Sequence, residues 1–167
     1  MNATYRKAAI AAAIPTILVA SPALAQSADG SMAVTAEVVQ NCTVAATPMN
    51  FGPITEVGAA NEDAQSTITL ACTALADYEI QLDNGVNADG TQRRMQGATS
   101  SEFLEYEIYR DASRTARWGQ TLGTDTRTGT ANVAGVATET AYGRIPVGHA
   151  NVSGDIYSDT ITVTVNF

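Results

Sequence analysis

Apolar and polar residues alternate with a period of two through most of this chain. In residues 66–72, Ile68, Leu70 and Cys72 alternate with Thr67, Thr69 and Ala71. In 78–82, Tyr78, Ile80 and Leu82 flank Glu79 and Gln81. In 103–109, Leu104, Tyr106 and Ile108 flank Glu105 and Glu107. Such spacing predicts half-buried strands with one wet face each. Residues 137–147 read as a weaker strand, and Pro146 predicts an edge or bulge there. Asp83-Asn84-Gly85, Asp89-Gly90 and the segment 97–101 supply turns, while 119–135 is rich in Gly and Thr with little apolar period. No amphipathic helix stands out. Short strands separated by polar turns predict an all-β antiparallel sandwich, with immunoglobulin-like topology as the leading choice.

The two ends carry the clearest patterns. From 157 to 167, Tyr157, Ile161, Val163, Val165 and Phe167 share one parity with Asp159, and the other parity holds only Ser158, Thr160, Thr162, Thr164 and Asn166. The pattern predicts a strand that stops on a core-facing Phe167, where an immunoglobulin-like sandwich would continue into one more strand. From 28 to 38, Ala28, Met32, Val34, Ala36 and Val38 alternate with mostly polar or small residues. A strand short at one end and spare at the other predicts head-to-tail exchange, a contact that does not close and so builds a filament. Periodicity equally allows residues 31–39 to fold back onto their own domain.

Charge and cysteine content narrow the picture. The 167 residues carry 9 Lys+Arg against 17 Asp+Glu, a net charge of −8, which argues against nucleic acid as a partner. Arg6 and Lys7, the apolar run 8–20, and Pro22 before Ala23-Leu24-Ala25 form a secretory signal pattern over residues 1–25. In an oxidising compartment the two Cys, Cys42 and Cys72, are expected to pair. Candidate chemistry is thin. His149 is the only His, no nucleophile can be assigned to it, and no catalytic residue, metal site or cofactor is expected. Asp83, Asn87 and Asp89 miss the spacing of a calcium loop. Arg93, Arg94, Arg110, Arg114 and Arg117 are expected to pair with Glu105, Glu107 and Asp111, and Trp118 to sit in the core or on a sheet face. Asn151-Val152-Ser153 fits a glycosylation sequon at chance level.

Several stretches resemble a known family. Val34-Thr35-Ala36-Glu37-Val38 with Asn41-Cys42-Thr43-Val44 resembles the start of the spore coat U domain of Csu-type subunits of archaic chaperone–usher pili. Asn50-Phe51-Gly52 resembles its first turn, and Tyr109-Arg110-Asp111-Ala112 with Arg114-Thr115 its central signature. Gly154-Asp155, Tyr157, Asp159-Thr160 and the closing Val163-Thr164-Val165-Asn166-Phe167 resemble its terminal motif.

The resemblance implies an incomplete immunoglobulin-like sandwich completed by a donor strand, lent first by a periplasmic chaperone. At an outer-membrane usher it is replaced by the N-terminal segment of an identical or related subunit, giving a linear homopolymer. It further implies a leader at 1–25, a donor-strand extension at 26–41 and the pilin domain at 42–167. Met32, Val34, Ala36 and Val38 would be the donor side chains. Ile161, Val163, Val165 and Phe167 would line the acceptor groove and meet the chaperone. Cys42 and Cys72 match the family's disulfide. The implied role is a shaft or adaptor subunit of a surface pilus supporting adhesion or biofilm formation. A self-complemented monomeric surface or matrix protein and a carbohydrate-binding sandwich remain the alternatives.

Overall fold

The computed structural model describes residues 25–148 and 152–167; the leader expected at 1–25, apart from Ala25, lies outside the described residues, as do His149 and Asn151. The chain divides into two compact units, Met1–Ala36 and Glu37–Phe167. In the first, residues 25–36 are exposed and form no strand. The alternation over 28–38 therefore appears here without a ladder, a difference from expectation with a simple cause. A strand exists only where an edge accepts its backbone hydrogen bonds.

The second unit is built from nine strands among the described residues. They are β1 (Cys42–Ala46), β2 (Glu62–Cys72), β3 (Asp77–Leu82), β4 (Arg93–Gly97), β5 (Phe103–Tyr109), β6 (Arg127–Thr130), β7 (Val136–Ile145), β8 (Tyr157–Ser158) and β9 (Val163–Asn166). One sheet runs β1-β2-β7-β5-β4-β8 and the other β6-β3-β9, with every pairing antiparallel. The alternating residues behave as their period demands. Ile68 and Leu70, Tyr78, Ile80 and Leu82, and Leu104, Tyr106 and Ile108 are buried, joined by Ala137, Ala141 and Ile145 of β7. Trp118 is wholly buried in this core, and its indole N–H donates to the Ile80 carbonyl at 2.9 Å. That bond satisfies the one polar group a buried Trp brings in.

The expectation of an edge or bulge at Pro146 is corrected. β7 is a central strand between β2 and β5, and it ends at Ile145. Proline cannot donate to a ladder, so the strand stops one residue before it. Cys42 and Cys72 face each other in the β1–β2 register and form a disulfide. Closing a loop of 30 positions stabilises the fold by about 3–4 kcal/mol in the chain-entropy account. Between β1 and β2 the chain passes close over β7. A Cβ at Gly143 would fall 2.2 Å from the Met49 sulfur, so only glycine leaves room for Met49 and Phe51 there.

Candidate functional site

The tail of the chain changes sheets. β8 pairs with β4 in the larger sheet, and β9 pairs with β3 in the smaller one. Residues 159–162 make the crossing, and polar groups hold it. The Asp159 carboxylate accepts from the Tyr106 hydroxyl at 2.7 Å and from the Asn87 backbone and side-chain N–H groups at 3.1 Å. The Asp83 carboxylate accepts from the Thr162 and Gly85 amides, and the Val86 amide donates to the Thr160 carbonyl. Gly85 has φ of +86°, and a Cβ there would strike the Asp159 carboxylate. Burial and the Asp159 bond together push the Tyr106 hydroxyl far above its ordinary pKa.

The rest of the terminal motif is fastened in the same way. Asp155 accepts from the Thr99 and Ser100 amides, both at 2.8 Å, and these N–H groups hold its carboxyl well below the usual carboxylate range. The Tyr157 hydroxyl donates to the Ser153 carbonyl at 2.9 Å. In the central signature, the Asp111 carboxylate closes a turn by accepting from the Ser113 hydroxyl and from the Thr115 and Ala116 amides. Arg114 sits at φ of +57° and reaches the Gly143 carbonyl at 3.1 Å and Asp63 at 3.2 Å.

The arginines differ in part from expectation. Arg93 and Arg117 do converge on Glu107. Arg94 pairs with Asp89 and stacks over Phe103, Arg110 donates to the Thr126 carbonyl, and Asp111 spends its oxygens on its own turn. The polar loop 83–89 is likewise engaged internally, through Asp83, Asn87 and Asp89.

These fastenings position one exposed edge. β9 lies at the end of its sheet, with β3 on one side only. Val163 and Val165 of β9 and Ile161 just before it pack against the core, yet each is only half-buried. On the neighbouring β3 the inward residues Tyr78, Ile80 and Leu82 are 6%, 0% and 2% exposed. The inward side chains beside β9 are thus less fully covered than those on β3. Phe167 departs from the expected row. It is 52% exposed, because the β3–β9 ladder ends at Glu79 opposite Asn166 and nothing pairs beyond it.

Met32, Val34 and Val38 are 85%, 82% and 81% exposed, and Ala36 is exposed as well. Met49, Ile54 and Val57, which the sequence did not single out, and Phe51, met there only within a turn motif, also lie half-buried on the core. With Leu104 and Val152 they line a cavity of about 700 Å³. Their irregular spacing in a Gly/Pro-containing segment carries no strand or helix period, so only their apolar character marked them.

An antiparallel two-sheet body, with no helix among the described residues and with an end strand that follows a polar-stapled crossover, defines the class: an all-β, immunoglobulin-like sandwich of the pilus-subunit kind. The Spore Coat Protein U domain model matches residues 28–164, and the chain belongs to that family. It is 30% identical over 185 aligned residues to Protein U of Myxococcus xanthus, the alignment covering 100% of both chains. It is also similar, with a TM-score of 0.58 and 25% identity, to a chain in the crystal structure of the CsuC–CsuE chaperone–tip adhesion subunit pre-assembly complex from archaic chaperone–usher Csu pili of Acinetobacter baumannii. That match covers 78% of this chain, which spans 40% of the length of the other.

Proposed function

We propose that this protein is a structural subunit of a surface pilus, exported behind a leader at residues 1–25 and polymerised by donor-strand exchange through a chaperone–usher pathway. The observation that carries the reading is the half-buried inward face of β9 at an open sheet edge. An edge of this kind is a template for another strand, because it presents unpaired backbone groups beside uncovered apolar side chains. The family membership and the likeness to a Csu complex chain support the same reading.

The chain also holds a segment of matching pattern. Met32, Val34, Ala36 and Val38 recur every second residue and are exposed, so a second copy can present them to Ile161, Val163 and Val165. Burying Met32, Val34 and Val38 stabilises the contact by about 1.5–3 kcal/mol per side chain, to which ladder hydrogen bonds add. A periplasmic chaperone occupies the edge first and the outer-membrane usher exchanges it. The filament serves adhesion or biofilm formation at the cell surface. Function here is binding and assembly, with no catalytic step.

The test is an in-frame deletion of residues 26–39 that keeps the leader. The truncated subunit should accumulate as a chaperone-bound monomer and form no filaments. Filaments from it would refute the proposal. A wild-type subunit that stays monomeric without a chaperone would point instead to a self-complemented surface protein.

A further inference from the structure

The N-terminal segment leaves the sandwich beside the disulfide, at a point held by one side chain. In the β1–β2 register Cys42 faces Cys72, which places Asn41 opposite Thr73. The Thr73 amide donates to the Asn41 carbonyl at 2.8 Å, as a continuing ladder would. The return bond is different. The Asn41 amide donates at 3.1 Å to the Thr73 hydroxyl, not to a backbone carbonyl. That hydroxyl in turn donates to the Val39 carbonyl at 3.3 Å. One Oγ1 therefore accepts from residue 41 and donates to residue 39, and it holds Val39 and Asn41 of the extension against the body. The neighbouring disulfide fixes the platform on which Thr73 stands.

We infer that Thr73 is a positioning residue that sets the direction in which the donor segment leaves its own subunit, and with it the angle between successive copies. The inference rests on the pilus reading given above. Its force comes from the shortness of the join. Val38, the last donor side chain, is 81% exposed and lies one residue before the tethered Val39. No residue lies between Val38 and the tethered Val39, so in a filament the strand that the next subunit receives would begin directly at the clamp.

The test images filaments sheared from cells that make the full chain with its assembly machinery. Thr73→Val removes the hydroxyl and keeps the β-branched shape and the backbone bond to Asn41. Thr73→Ser restores the hydroxyl. A third variant inserts Gly-Gly between Val38 and Val39, upstream of every clamp contact to the body. Thr73→Val and the insertion should yield filaments in wild-type amount but with a persistence length at least twofold shorter, and Thr73→Ser should match wild type. Wild-type stiffness in the Thr73→Val filaments would overturn the inference while leaving the pilus reading intact. If Thr73→Val fails to fold, Thr73→Ala, which also removes the hydroxyl and keeps the backbone bond to Asn41, takes its place. Absence of filaments from the wild-type chain would instead overturn the pilus reading, and this inference with it.

Discussion

Arg93 is a guanidinium with no exposed surface, which is costly unless every donor is used. It ion-pairs with Glu107, and it donates to the Leu82 carbonyl at 3.1 Å and to the Asp83 carbonyl at 2.6 and 3.0 Å. Through Asp83 it supports the same loop that holds the tail crossover. Arg117 reaches Glu107 from the other side at 2.8 Å, but its side chain is 28% exposed. The two bonds to one carboxylate therefore differ in weight. Arg93→Met should cost about 3–5 kcal/mol, because it leaves buried acceptors unpaired. Arg117→Ala should cost about 1 kcal/mol or less, because water screens that pair and Glu107 keeps Arg93. Urea midpoints of the two variants check this, and equal losses would show that burial does not separate them.

Among the elements, β9 invites the sharpest comparison, since its two faces differ while its backbone does not. Val163→Asp puts a charge on the half-buried inward face, and Thr164→Asp puts one on the exposed outward face. Co-purification with a tagged chaperone should fall tenfold or more for the first, in line with about 1–3 kcal/mol for an uncompensated polar group. It should be unchanged for the second; equal capture of both would remove residue 163 from the groove. The alternation of 157–167 was legible in the sequence because an extended chain keeps its side-chain parity whichever sheet it joins. The switch from β4 to β3 at residues 159–162 was not, since hydrogen-bond partners leave no mark on parity. β2, β3 and β5 could be read from their apolar rows. β4 could not, because its one wholly buried side chain is Arg93, satisfied by a network rather than by apolar contact. β6, Arg127-Thr-Gly-Thr, has no apolar residue to betray it. The terminal motif was visible as a likeness, but that Asp155, Tyr157 and Asp159 act as fasteners emerges only in three dimensions.

At the scale of the whole molecule, folding supplies hydrogen bonds to several carboxylates. The Arg144 side chain holds Asp63 below its ordinary pKa, the Thr126 hydroxyl does so for Glu79, and the Ser153 amide for Glu102. The Ser113 hydroxyl and the Ser100 amide do the same for Asp111 and Asp155. On unfolding these groups return to roughly pKa 4, so the unfolded chain binds protons first. Their stabilisation is complete above about pH 5 and is lost as the pH falls toward the folded values. Thermal melts should give a level melting temperature from pH 8 to 6 and a steady fall from pH 5 to 3, reduced in Asp155→Asn; a level curve down to pH 3 would contradict the assignment. The crossover of the tail has a mechanical consequence too. Because residues 157–158 belong to one sheet and 163–166 to the other, tension drawn along residues 157–167 meets two ladders in succession. It loads the β9–β3 ladder first, then the Asp83 and Asp159 fastenings and last the β8–β4 pairing, so unravelling the segment takes contacts from both halves of the sandwich.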